Sequence, residues 1–196
     1  FTWEQGPVGI GPAPQRVHRA LSFDGRLIAV GATGTFGAGD GAVWVASAAP
    51  PGALDPTGDW QRTRQSTAVR FGEVSLAVLG DRLFASMYTP AGTSIWYTDD
   101  GQAWLEAPTP ELTRSGVWGS LWTIDDTLYF SGRELAGAAI WRSADGLAWT
   151  QLNRPEVVDG SIDGIARAGS TFFGVGRLVD NTTVIWASSD ANTWVA

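Results

Sequence analysis

The chain has 196 residues, 44% hydrophobic and 17% charged, with no cysteine and one histidine, His18. That is enough apolar surface for a core without metal or disulfide staples, and it excludes iron–sulfur clusters, Cys-ligated zinc and most histidine-based triads. The 13 cationic side chains are all arginine and face 20 carboxylates, for a net charge of −7, so a P-loop lysine and a Schiff-base lysine are absent and nucleic acid is a poor partner.

Tryptophan marks the elements along the chain. Thr2-Trp3-Glu4 reads as the outer strand of a preceding unit, residues 1–5. The first full unit, 17–63, runs from a strand over Val17 to Phe23 through an Asp24-Gly25 turn, a second strand from Leu27, a third at Val43-Trp44 and a fourth at Trp60. The next unit, 74–107, repeats this with Val74 to Leu79, Gly80-Asp81, Leu83, Ile95-Trp96 and Trp104. A third, 119–152, has Gly119 to Ile124, Asp125-Asp126, Leu128, Ile140-Trp141 and Trp149. The last, 163–196, has Asp163 to Ala168, Gly169-Ser170, Phe172, Ile185-Trp186 and Trp194. Trp96, Trp141 and Trp186 are 45 residues apart, as are Trp104, Trp149 and Trp194. The first unit is longer because it carries insertions of eight residues before Trp60 and four before Trp44; removing them restores the period.

No segment has a helical period, and 25 Gly with 10 Pro punctuate the chain, so all-β is the reading. Several strands are apolar at consecutive positions, as in Leu27-Ile28-Ala29-Val30, Leu128-Tyr129-Phe130 and Phe172-Phe173-Gly174-Val175. Successive strand side chains point to opposite faces, so both faces of these sheets must be covered. A radial array of four-stranded sheets with a period near 45 does this: the expected fold is a β-propeller with four visible blades. Trp3 and Trp194 both read as outer-strand positions, which favours a segment of a six- or seven-bladed ring over a closed four-bladed one; its exposed end faces would promote self-association.

Between third and fourth strands lies a recurring turn: Thr98-Asp99-Asp100-Gly101-Gln102-Ala103-Trp104, Ser143-Ala144-Asp145-Gly146-Leu147-Ala148-Trp149 and Ser188-Ser189-Asp190-Ala191-Asn192-Thr193-Trp194. The middle Asp can accept hydrogen bonds from the turn's own amides, and Gly can take positive φ; where Ala191 replaces Gly, Asn192 is expected in the left-handed position. The motif resembles the Asp-box, or bacterial neuraminidase, repeat of sialidase-like propellers. It is one residue shorter than the usual family form, and the first unit, with Asp59-Trp60, has largely lost it. The resemblance implies a propeller with these turns at the blade periphery. Members include sialidases, glucan-cleaving hydrolases and noncatalytic receptors, so it specifies fold better than function.

A sialidase-like site would need an arginine cluster, a tyrosine nucleophile helped by glutamate, and an aspartic acid. Tyr88, Tyr97 and Tyr129 lie on or beside strands, where a core ring is the default. Arg70, Arg114, Arg133 and Arg177 fall near loops, but the family's arginine signature near the start of the fold is missing. A two-carboxylate glycosidase could draw on Glu73, Glu111, Glu134, Glu156, Asp159 and Asp163, provided a pair lies about 5 to 9.5 Å apart. The Gly31–Gly41 stretch lacks a following helix and makes a poor phosphate cradle. Asn181-Thr182-Thr183 is a formal glycosylation sequon, and His18 falls near the channel as a wall residue.

The loops joining fourth to first and second to third strands should emerge on one face, carrying Arg114, Trp118, Arg133, Glu134, Asp159, Arg177 and Asp180 as candidate ligand-binding residues. Trp118 lies outside both repeated series, and an indole beside arginine suits stacking on a sugar or anchoring a protein, or else filling a gap between blades. The sequence thus points to a noncatalytic, extracellular or cell-surface propeller that binds protein or glycan, with no cofactor, no metal and no direct membrane insertion. The alternatives are a sialidase-like glycoside hydrolase and a structural subunit of a surface assembly.

Overall fold

A computed structural model describes residues 15–33, 40–46, 60–66, 74–89, 91–114, 116–152 and 160–195. The described residues form four antiparallel sheets and no helix. The first sheet is β1 (Gln15–Phe23), β2 (Arg26–Thr33), β3 (Asp40–Ala46) and β4 (Trp60–Ser66). The second is β5 (Val74–Leu79), β6 (Arg82–Thr89), β7 (Gly92–Thr98) and β8 (Leu105–Glu106). The third is β9 (Trp118–Ile124), β10 (Thr127–Glu134), β11 (Gly137–Ser143) and β12 (Thr150–Gln151), and the fourth is β13 (Gly160–Ala168), β14 (Thr171–Leu178) and β15 (Thr183–Ser188). Every sheet is a meander in chain order. In the fourth, the outer strand shrinks to a single bridge between Ala187 and Val195.

Consecutive sheets meet through their first strands, β1 beside β5, β5 beside β9 and β9 beside β13, so the sheets fan out from an axis with those strands innermost. Hydrogen bonds reinforce the fan. The Leu121 amide donates to Ser75 Oγ at 2.7 Å, and Thr123 Oγ1 donates to the Val78 carbonyl at 2.5 Å, both joining the second sheet to the third.

The core lies between sheets. Val30 and Val43 of the first sheet pack with Leu83 and Trp96 of the second. Phe84 and Ile95 pack with Leu128 and Trp141 of the third, and Tyr129 and Ile140 pack with Phe172 and Trp186 of the fourth. The repeated tryptophan therefore faces the preceding sheet, and the aliphatic residue before it faces the following one. This is why consecutive apolar positions were needed. The fourth sheet differs: burial alternates along β14, and Phe173, Val175, Ile185 and Val195 are exposed on its far face. Among the described residues no sheet is packed there, and the fourth sheet does not pack onto the first.

The three turns share one geometry. Asp100 Oδ1 accepts from the Gln102 and Ala103 amides at 2.8 Å each, Asp145 Oδ1 from Leu147 and Ala148 at 2.8 and 2.9 Å, and Asp190 Oδ1 from Asn192 and Thr193 at 2.8 and 2.7 Å. Thr98, Ser143 and Ser188 each donate a hydroxyl to the same carboxylate oxygen. The left-handed residues are Gly101, Gly146 and Ala191 itself. The expectation that Asn192 would take that conformation is thus corrected. Ser188, Asp190 and the Trp194 indole, which donates to the Ala191 carbonyl at 3.0 Å, fix the turn in the same form as the glycine turns.

Candidate functional site

The ends at which first strands begin and second strands finish share one rim. The 107–117 connection reaches it after closing over the β6–β7 hairpin: the Thr93 amide donates to the Leu112 carbonyl at 3.0 Å, and Thr93 Oγ1 to the Val117 carbonyl at 2.9 Å. Gly92 is required here, because a Cβ would lie 2.2 Å from the Arg114 carbonyl oxygen, and its φ is +129°. This closure carries Arg114 to the third sheet, where its Nη2 donates to Glu134 Oε2 at 3.1 Å. Gln151 Nε2 donates to Glu134 Oε1 at 3.0 Å. Glu134 is buried, so this pair acts as a strut between sheets; its carboxylate is already occupied by protein donors.

Trp118 and Arg133 are cross-strand partners at the rim ends of β9 and β10, both half-buried. Arg177 lies near the rim end of β14, exposed, opposite Ser161 of β13. Asp180 sits in the β14–β15 turn, where its Oδ1 accepts from the Thr182 amide at 2.9 Å; that bond holds its carboxyl below the usual range. Asp159 falls outside the described residues, as do Arg70, Glu73 and Glu156.

Between the third and fourth sheets the rim holds a cavity of about 160 Å³ lined by Trp118, Gly119, Ser120, Ser131, Gly132, Ile162, Asp163 and Arg177. Gly119 and Gly132 face each other across β9 and β10, and a Cβ on either would come within 2.2 Å of opposing backbone. Bare backbone thus forms part of the floor. Asp163 supplies the carboxylate: Ser161 Oγ donates to its Oδ1 at 2.7 Å and Arg177 Nε to its Oδ2 at 3.0 Å. These two donors fix the carboxylate in one orientation while it remains open to solvent.

Asp163 was one carboxylate among several in the sequence, outside the expected ligand-binding set. Its distinguishing feature is a β-bulge: pairing skips from Ile162 with Gly176 to Gly164 with Val175, leaving Asp163 unpaired. The other first-strand bulge falls at His18, between Val17 and Arg19. Each bulged residue lies five positions before the end of its strand. Bulges commonly re-aim a side chain next to a site.

Trp122 rather than Trp118 fills the axis. Its ring packs beside Gly164 of β13, its Nε1 donates to Ser131 Oγ at 3.0 Å, and the Arg19 guanidinium of β1 stands 5.4 Å from its ring centre. The tyrosines are elsewhere. Tyr129 is buried against Phe172, burial raising its phenol pKa, and Tyr97 lies under the Arg82 guanidinium. Tyr88 is near the rim end of β6 in the second sheet and does not line the cavity.

No family model and no curated protein matches the sequence. Solved structures do. The chain is similar to the sialidase of Trypanosoma rangeli in complex with 2,3-difluorosialic acid, at 14% identity over 92% of this chain and 37% of that one, with a TM-score of 0.60. It is also similar to the GH43_1 enzyme of Xanthomonas citri complexed with xylose, at 10% identity over 94% of this chain and 72% of that one, TM-score 0.54. An endo-1,4-β-xylanase of Bacteroides thetaiotaomicron follows at 14% identity, 90% and 70% coverage and a TM-score of 0.52.

The fold is a β-propeller. The chain spans little more than a third of the sialidase's length. The noncatalytic module expected from the sequence is corrected by these similarities, which run to structures named as glycoside-cleaving enzymes and favour the hydrolase alternative.

Proposed function

We propose that this propeller belongs to a glycoside hydrolase, with its sugar site in the cavity between the third and fourth sheets. The carrying observation is the meeting of Trp118, Asp163 and Arg177 around about 160 Å³ at the rim. An indole stacks on the apolar face of a sugar ring, an oriented carboxylate stabilises an oxocarbenium-like transition state or forms its covalent adduct, and an arginine fixes that carboxylate. Asp163 takes the carboxylate role, Trp118 the stacking role and Arg177 the positioning role. Arg133, the cross-strand partner of Trp118, extends the sugar-facing rim.

Carboxylate chemistry is favoured over a tyrosine nucleophile because none of the three tyrosines lines the cavity. Hydrolysis also requires a second carboxyl group about 5 to 9.5 Å from the first; Glu111, Glu156 and Asp159 are the candidates that the sequence sets near these loops. Glu134 is not assigned this role, since Arg114 and Gln151 hold both its oxygens. The Asp-box reading of the three turns belongs to the same proposal, supported by their common hydrogen-bond pattern.

The test is hydrolysis of a panel of aryl glycosides and plant and animal polysaccharides by the purified protein and by Asp163→Asn. Turnover that falls about 10³-fold in the variant, with an unchanged melting temperature, supports the assignment. Absence of turnover on every glycoside, or full activity in Asp163→Asn, refutes it.

A further inference from the structure

We propose that Arg133 makes the cavity between the third and fourth sheets a site for an acidic hexose, where it holds the carboxylate of a uronic acid. The inference rests on the sugar site proposed above and names its substrate class. Most of the described arginines are already engaged: Arg82 pairs with Asp99, Arg114 with Glu134, Arg167 with Asp125 and Arg177 with Asp163, while Arg26 donates to the Asp100 carbonyl and Arg19 stands over the Trp122 ring. Arg133 differs. It is half-buried, and among the described residues no ion pair or side-chain hydrogen bond engages its guanidinium. Arg142 shares that lack but is exposed. Partial burial of a cation without a counter-charge costs free energy, so an unpaired, half-buried guanidinium beside a cavity marks the place of an incoming anion.

Strand register places this group at the cavity. Arg133 is the direct cross-strand partner of Trp118, which lines the cavity, and opposed side chains on one face start about 4.5 to 5.5 Å apart at Cβ. That face is turned to the fourth sheet: on the same side of β10, Ser131 lines the cavity and Tyr129 packs on Phe172. Glu134, next in the strand, points the opposite way and is held by Arg114, so it does not neutralise its neighbour. Asp163 and Arg177 cancel each other, and Arg133 therefore leaves the site with one positive charge in a chain of net charge −7. A planar guanidinium meets a carboxylate through two parallel hydrogen bonds. Cavities of about 150 Å³ take one six-membered ring, and this one is about 160 Å³. It has room for a single hexuronate ring and not for the nine-carbon acid of a sialoside.

Calorimetric titration of the whole chain with glucuronate, galacturonate, glucose and galactose tests this. The uronates should bind at least about ten-fold tighter than the neutral hexoses. Arg133→Gln should abolish that preference, Arg133→Lys should keep part of it, and Trp118→Ala should weaken acidic and neutral sugars alike; circular dichroism establishes that the variants fold. Equal binding of acidic and neutral sugars, a preference that survives Arg133→Gln, or no binding of any of the four sugars overturns the proposal. Its failure is separable from that of the hydrolase reading. Uronate binding that is lost in Arg133→Gln, with no turnover of any glycoside, refutes hydrolysis alone. Turnover that needs Asp163 but ignores the charge of the sugar refutes the acidic-sugar assignment alone.

Discussion

Gly146, in the turn after β11, lies directly beneath the Phe84 ring of the preceding sheet: a Cβ built there would fall 2.1 Å from Phe84 Cε1. Gly101 stands in the same relation to Ile28, at 2.6 Å. Each turn thus does two jobs at one residue, taking a positive φ and admitting a neighbour's core side chain.

Gly146→Ala should therefore destabilise the protein by about 2 to 4 kcal/mol, combining the left-handed Cβ penalty with overpacking against a buried ring. Urea unfolding measures this. In a Gly146→Ala, Phe84→Leu double variant the two losses should be less than additive, because the smaller side chain removes the clash; strict additivity would mean that the ring and the turn do not touch.

Ala191 already occupies the third such position, at φ +59° and fully buried. Ala191→Gly relieves a left-handed strain of roughly 1 to 2 kcal/mol but loses a buried methyl worth about 0.8 kcal/mol and frees the unfolded chain by about 0.5 to 1 kcal/mol. The terms cancel, so the variant should be neutral to within about 0.5 kcal/mol, unlike a buried Ala→Gly change at ordinary dihedrals. A loss above about 1 kcal/mol would show that Ala191 is not strained.

The turn carboxylates make stability acid-sensitive. The Thr193 and Asn192 amides, with the Ser188 hydroxyl, hold Asp190 at about 2, below its ordinary 3.8. Gln102 and Ala103 lower Asp100, and Ala148 and Leu147 lower Asp145. A depressed folded pKa contributes stability that is present above the unfolded value and lost as pH falls through the folded one. The melting temperature should accordingly drop between pH 4 and 2. Asp190→Asn should melt lower at pH 6 and show a shallower acid decline by calorimetry, since it has no carboxylate there to protonate.

Trp118→Ala separates sugar stacking from packing. Because Trp118 is half-buried and lines the cavity while Trp122 fills the axis, the variant should raise KM about ten-fold or more and lower the melting temperature by only a few degrees. A large fall in melting temperature with unchanged KM would assign Trp118 to packing.

Arg114→Met removes the guanidinium that donates to the buried Glu134 carboxylate. Arg114 is itself about half exposed, so the loss should be near 1 to 2 kcal/mol, well below that for breaking a fully buried pair. Glu134→Gln alone and in the Arg114→Met background completes a double-mutant cycle by thermal denaturation, and a non-additive term of about 0.5 kcal/mol or more is expected for this contact.

The sequence by itself determined the repeat, the four hairpin-rich units, the turn motif and the two-sided burial of the sheets. All of these are local: 45-residue spacing, apolar residues in succession and an Asp flanked by a hydroxyl and a small residue are legible in one dimension. It also placed Arg114 and Glu134, and Trp118 and Arg177, on a common rim. Only the tertiary structure singled out Asp163, because its role arises from a bulge that unpairs it and from Arg177 fourteen residues away, and neither has a linear signature among 20 carboxylates. Exposure of Ile185 has no linear signature either: its sequence context matches that of Ile95 and Ile140, which are buried against a following sheet, whereas among the described residues no sheet packs against Ile185. Side-chain pattern records what a face can bury, whereas the arrangement of neighbours decides what it does bury.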